Sequence, residues 1–531
     1  MHADRPQRLQ ADVISRVQLV DPRPVTYPAV RTQVSELPAA SGTGRGRALA
    51  TSWPLLAVLG AQAALSLRLV WANTAFQDEA LYLRVGHLEW ARWLHGAVIP
   101  DFPSYFSGAP VLYPPLAALA DDAGGLAAAR VLSLCFMLGV TTLLWATAGR
   151  LYGKRAGLLA AGLFATLAGT QFLGAFATYD ALALLLLALA VWLAVRSADS
   201  TVRARLTLLV LAGLTLAGAD AVTYATALFV PVVLVVAAAA AWRRQRGPAA
   251  AFAALTVGCA WLAAVTAALL AGGPSYRQGL RASTLSRPLS DAAVGVVLQR
   301  SYVWTSLILV LAALGVVLAF RSIERGRFLP AVLLAAALLA PAEQARLHTT
   351  VSLQKHVVFG AWFAAIAAGY AMARLSRVDR GHGWAPVMAI PIVASTLFGS
   401  FGQASALFRV WPNSASVVRM LRTEAATHPG NYLAEDYDVE AYYLRGSVPW
   451  QRWTSTYYFK LPEVAAGAAS YAAAIKGHYF ALVILDFGDT APADRVIAAD
   501  MTRAGGYDVL ARTGDFTIWA SQPDRSQHVS S

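Results

Sequence analysis

Asp78 and Glu79 are adjacent acids in NTAFQDEALYLRVGHLEWARWLHG (73–96), directly after an apolar run. A carboxylate in a partly buried cleft at membrane level can take a proton from an acceptor hydroxyl. A second carboxylate beside it can hold a metal or tune the first one's pKa. From Glu79 onward, Leu81, Val85 and Leu88 recur at helical spacing, and Trp90 and Trp93 suit an interface, so the pattern predicts a helix lying on the bilayer. A purely structural reading also holds: acids start helices, where Asp caps well and the helix dipole favours negative charge.

A reaction that expels a phosphate group also needs a divalent cation or positive side chains on the same face. Candidates are Arg277, Arg281 and Arg287 in GGPSYRQGLRASTLSRPLS, and Arg346, His348, Lys355 and His356 in EQARLHTTVSLQKH. Arginines near span ends also snorkel to lipid headgroups. HTTVSLQKH, however, interrupts two apolar runs on a side otherwise poor in charge. Asp180 in FATYDAL and Asp220 in AGADAVTY are further acids at a membrane rim, where charge is costly and points to function. Tyr179 could stack on a sugar beside Asp180, whereas Asp220 reads as a helix cap. The sequence has no dedicated metal motif, so a divalent ion on Asp78 and Glu79 is one alternative, and base plus helper is the other.

These residues need a scaffold, and composition says which kind. At 57% hydrophobic and 14% charged, the chain is too apolar for a soluble multidomain protein. The net charge of +13 sits in short basic clusters between apolar runs, as membrane topology requires, and does not indicate nucleic acid. Cys135 and Cys259 both fall in apolar stretches, which excludes a disulfide framework.

A span needs roughly 20 apolar residues. Candidates lie near 51–72, 126–148, 155–175, 179–196, 205–219, 222–241, 250–271, 302–320, 328–342, 354–373 and 386–404, about eleven in all. GRLYGKR, WRRQR, RSIERGR and RLSRVDRG are arginine-rich connections that mark the cytoplasmic side. The opposite connections, 73–125, 272–301 and 343–353, carry the unusual chemistry.

The expected protein is therefore α-helical and polytopic in the plasma (inner) membrane. It has a cytoplasmic tail (1–50) with no cleavable signal, a transmembrane catalytic part (51–405) and an extracytoplasmic α/β domain (406–531). In that last part, helices are predicted at 415–427, 462–476 and 493–504, a strand at 481–486, and a hairpin across Gly514 and Asp515. Tyr437, Tyr442, Tyr443, Trp450 and Trp453 read as core of this small domain.

Several pieces occur in a telling order: the acidic pair after the first span, YPPL (113–116), GGLAAARVLSL (124–134), TYDAL (178–182) and QKHVVFGAWFAAIAAGYA (354–371). Over 51–405 the chain resembles the polytopic glycosyltransferases of the GT-C type, in the protein O-mannosyltransferase-like and aminoarabinose-transferase-like group. The resemblance implies transfer of a sugar from a polyprenyl-phosphate carrier to a glycan, lipid or protein acceptor, on the extracytoplasmic face and with inversion. It makes Asp78 the general base, with Glu79 as helper or divalent-metal ligand. It has Tyr113 and Pro114 shape a wall, Arg130 anchor the second span, and Lys355 or His356 face the lipid phosphate. Tyr82, Tyr179, Asp180, Arg281 and His348 complete the expected substrate-binding set.

There are departures. Thr223 and Tyr224 stand where the group often carries a lysine, and the tail does not resemble the β-trefoil insertion of eukaryotic mannosyltransferases. Two other functions fit a membrane protein with such residues: a transporter or flippase of lipid-linked sugars, and a noncatalytic envelope-assembly protein. A transporter should carry polar residues through to the cytoplasmic side and show paired broken spans, yet the inner halves of these helices are mostly Ala, Leu and Val.

Overall fold

The computed structural model describes residues 44–245, 247–322, 326–376, 385–457, 459–462, 464–488 and 490–522. Most of the predicted N-terminal tail, 1–50, lies outside them.

The membrane part is helical throughout, because in lipid a chain can satisfy its own peptide groups only within helices or closed barrels. In order come α1 (Gly44–Leu67), α2 (Gln77–His95), α3 (Tyr113–Tyr152), α4 (Lys154–Thr166), α5 (Ala168–Leu173), α6 (Asp180–Ser197) and α7 (Val202–Val222). They are followed by α8 (Val230–Gln245), α9 (Pro248–Ala271), α10 (Gly273–Ser283), α11 (Val294–Phe320), α12 (Leu329–Arg346), α13 (Leu353–Leu375) and α14 (Ala385–Leu407).

Among the described residues, seven helices are long and apolar enough to cross a membrane: α3, α6, α7, the 224–245 segment containing α8, α9, α11 and α13. The predicted spans at 51–72, 328–342 and 386–404 fall on α1, α12 and α14, which are helical but outside those seven. The predicted span at 155–175 is broken. Leu167 adopts an extended conformation between α4 and α5.

Two local features position the site. Helix α3 starts at Tyr113, well before the predicted second span, and bends at Gly124 and Gly125; Gly125 has φ +66°, which favours glycine. Helix α13 lies at the centre, buried along nearly its whole length from Val357 to Ala373 and packed against α4, α11 and α12.

The C-terminal part contains α15 (Ala415–Thr427), β1 (Asn431–Ala434), α16 (Tyr437–Tyr443), β2 (Trp453–Ser455), α17 (Ala468–Lys476), β3 (Phe480–Leu485), α18 (Ala491–Ala504), β4 (Tyr507–Thr513) and β5 (Phe516–Ser521). The sheet order is β2-β1-β3-β5-β4, with β1 parallel to β2 and β3, and β5 antiparallel to β3 and β4. Alternating strand residues serve two cores. Tyr432, Ile484 and Ile518 meet α15, while Leu433 and Val483 meet Ile497 and Met501 of α18. The short helix α16 packs on α2 and so joins this domain to the 73–125 connection.

Candidate active site

The backbone of Phe76 is extended, and α2 begins at Gln77. Glu79, in the first turn, accepts the Phe76 N–H at 3.1 Å, as in the returning half of a capping box. Its larger partner is Arg130 of α3, bound at 2.8 Å through Nε and 2.6 Å through Nη2. The remaining Arg130 donors reach the carbonyls of Val70, Asn73 and Thr74, so all five guanidinium N–H groups are used. Ala177, between α5 and α6, donates to Glu79 at 2.8 Å. Both side chains are fully buried.

Each Glu79 oxygen thus accepts two hydrogen bonds. The adjacent acids therefore have separate partners, with Glu79 committed to Arg130. Arg130, expected as the anchor of the second span, is the charge that holds Glu79 in place.

Asp78 instead faces a cavity of about 590 Å³. Its Oδ2 lies 2.6 Å from Nζ of Lys355, which reaches across from the first turn of α13. The same ammonium is 3.7 Å from Oδ2 of Asp180, at the start of α6, and 5.9 Å from the centre of the Phe176 ring. Thr178 donates to Asp180 at 2.8 Å. Lys355 and Asp180 are buried beneath the cavity, while Asp78 remains partly exposed to it.

The walls are aromatic. Tyr82 lies 4.6 Å from Tyr179, 5.4 Å from Phe106 and 6.2 Å from Tyr113, measured between ring centres. Burial, together with the charges of Tyr179, Asp78 and Asp180, pushes the Tyr82 hydroxyl well above its ordinary pKa and keeps it protonated. Arg287 and His356 also line the cavity, and Gln344 lies 2.8 Å from the His356 ring. Arg346 also lines the cavity but is paired with Glu343.

Of the residues singled out in the sequence, Asp78, Tyr82, Tyr179, Thr223, Tyr224, Arg287, Arg346 and His356 line this cavity, with Lys355 and Asp180 next to Asp78. Tyr113 is buried behind Tyr82. Arg281 lies apart, in a surface groove with Arg277. His348 has its Nδ1 3.1 Å from the Ala292 carbonyl and does not line the cavity. Asp220 is bonded by Thr226 and Trp261, a closed polar unit.

Tyr105, Ser107 and Gln344 also line the cavity and carry no local signal in the sequence. Only their membership of the 73–125 and 343–353 connections points to them. Two groups of side chains with metal-ligand spacing occur among the described residues, His87–Asp121–Asp122 and the all-carboxylate Glu435–Asp486–Asp494, and neither includes Asp78.

The far side of α2 is clamped. Arg84 pairs with Asp438 of α16, Trp90 donates to the Pro115 carbonyl at 3.0 Å, and Tyr443 accepts the Ala75 N–H at 2.9 Å. Asp121 of α3 accepts from Tyr442 at 2.5 Å and from Arg445 at 2.7 Å, and lies 2.7 Å from His87. The helix that carries Asp78 is thereby fixed by both the membrane part and the C-terminal domain.

Residues 116–276 match the family model described as dolichyl-phosphate-mannose-protein mannosyltransferase. A search of curated proteins finds no match. Among solved structures, the chain is similar to ArnT from Cupriavidus metallidurans in the apo state, with 16% identity, TM-score 0.57, and 90% of this chain and 100% of that one covered. The same protein bound to undecaprenyl phosphate matches with 16% identity, TM-score 0.55, and coverage of 91% and 100%. The archaeal oligosaccharyltransferase AglB from Archaeoglobus fulgidus, in complex with an inhibitory peptide and a dolichol-phosphate, matches with 14% identity, TM-score 0.56, and coverage of 91% and 75%. The helical scaffold and the small C-terminal sheet together give this chain the GT-C fold of a polytopic membrane protein, and its residues 116–276 are similar to the protein mannosyltransferase family.

Proposed function

We propose that this protein moves a hexosyl or pentosyl group from a polyprenyl-phosphate donor to an acceptor on the extracytoplasmic face, with inversion and with Asp78 as general base. The observation that carries this reading is the Asp78 carboxylate, held 2.6 Å from a buried lysine in an aromatic-walled cavity of about 590 Å³. Tyrosine rings suit a sugar, and cationic or donor groups suit the phosphate that leaves it. That the similar ArnT and AglB structures hold undecaprenyl phosphate and a dolichol-phosphate supports the donor class.

In this reaction the acceptor oxygen attacks the anomeric carbon from the side opposite the phosphate, and Asp78 takes the acceptor's proton. The bond from carbon to phosphate oxygen breaks, and its electron pair leaves with the phosphate. In this reading Lys355, His356 and Arg287, in or beside the cavity, stabilise that charge. Asp180 and Thr178 hold Lys355 in position. Against the transport alternative stands the burial of Lys355, Asp180 and Phe176 next to Asp78. The test is transfer of labelled sugar in membranes carrying the wild type or Asp78→Asn at equal abundance.

A further inference from the structure

A second acidic centre lies in the C-terminal domain. Strands β1 and β3 run parallel and end together, so Glu435 follows one and Asp486 the other; the Glu435 N–H bonds the Ile484 carbonyl at 3.3 Å. Asp494, in the first turn of α18, completes a trio whose oxygens lie within 4.8 Å of one another. The loop between β3 and α18 orients them: Gly488 donates to Glu435 at 3.0 Å, Thr490 donates to it as well, and the Thr490 hydroxyl reaches Asp494 at 3.0 Å.

A fourth carboxylate comes from a different element. Glu440 of α16, only 3% exposed, lines the same cavity of about 280 Å³ as Glu435 and Asp486, and its Oε2 has no hydrogen-bond partner. Asp486 Oδ1 and Asp494 Oδ2 receive no N–H or hydroxyl donor, although Asp494 is 0% exposed, and both acids meet Glu435 carboxyl to carboxyl. Among the described residues no lysine, arginine or histidine forms an ion pair with any of the four. Buried carboxylates without a counter-charge are costly, and an all-oxygen donor set fits a hard divalent cation.

We propose that Glu435, Asp486 and Asp494, with Glu440 facing them, form a calcium site of this chain. Calcium fits better than magnesium because carboxylates converge from several elements, and magnesium retains its waters more stubbornly. The ion ties the ends of β1 and β3 and the start of α18 to α16, the helix that packs on α2. It therefore braces the domain face that clamps the Asp78 helix, whatever sugar is transferred.

The test uses full-length protein in detergent, stripped with chelator and titrated with calcium chloride alone, following bound calcium and melting temperature. One saturable calcium per chain, bound by the millimolar range typical of extracellular modules, with a rising melting temperature, is expected. Asp486→Asn with Asp494→Asn should abolish both responses, and Asp78→Asn should leave both intact. If the double variant does not fold, Glu440→Gln should weaken binding about tenfold while remaining folded, the usual scale for losing one supporting contact at a metal. Absence of saturable binding, undiminished binding in the variants, or a site that takes magnesium in preference would each overturn the proposal.

Discussion

Lys355 meets Asp78 at 2.6 Å across 277 residues of chain, whereas Glu79, the very next residue, is bound to Arg130. Successive helical side chains point about 100° apart, and here that rotation separates two chemistries. One carboxylate is left at the edge of a cavity; the other is buried in a charge pair that joins α2 to α3 and to the α5–α6 connection.

The Glu79–Arg130 pair should govern folding. Replacing one partner of a buried pair leaves an uncompensated charge and costs about 3–5 kcal/mol. Glu79→Ala is expected to lower the melting temperature and membrane abundance sharply, and Glu79→Ala with Arg130→Met should recover part of the loss. Thermal unfolding of the detergent-purified protein measures both.

Lys355 should govern turnover. Lys355→Met removes the charge between Asp78 and Asp180, and transfer is expected to fall at least about 10²-fold, the scale of losing one preorganised electrostatic group. Lys355→Arg should restore only a fraction, because a planar fork does not replace a compact ammonium in a buried site. Steady-state transfer at equal protein abundance distinguishes these outcomes.

Gly86 should be intolerant of a side chain. A Cβ there would run into the Pro114 carbonyl, where α2 crosses the start of α3. Gly86→Ala is expected to cost about 1–3 kcal/mol, as overpacking does, and to lower activity by displacing Asp78. Melting temperature and transfer rate should fall together.

Tyr82 should act as a neutral donor. Burial, and the negative charges around it, raise its pKa well above the ordinary value of about 10. The hydroxyl therefore stays protonated through alkaline pH and contributes no descending limb below about pH 10. Tyr82→Phe is expected to reduce kcat/KM while leaving the shape of the pH profile unchanged up to that point.

Much of the scaffold is legible in the sequence for a physical reason. Apolar runs such as 205–219, 250–271, 302–320 and 354–373 have one answer in lipid, and they fall within α7, α9, α11 and α13. The break at Leu167 is not legible, since no proline marks it and Gly169 lies inside the helix that follows. Nor are β1 and α16, at 4 and 7 residues, long enough to show a period.

The acidic pair is visible because two adjacent acids border an apolar run. Its division of labour is hidden, because the deciding partners lie 51 and 277 residues away. The placement of Arg281 and His348 is hidden for the same reason: which face a connecting segment presents depends on packing that no local pattern encodes.

The most direct test is sugar transfer from radiolabelled polyprenyl-phosphate donors in membranes containing wild type or Asp78→Asn at matched abundance and melting temperature. Acceptor-dependent transfer by the wild type, lost in a variant that remains folded, is the predicted result. Equal transfer by both proteins would contradict the assignment of Asp78 as the base.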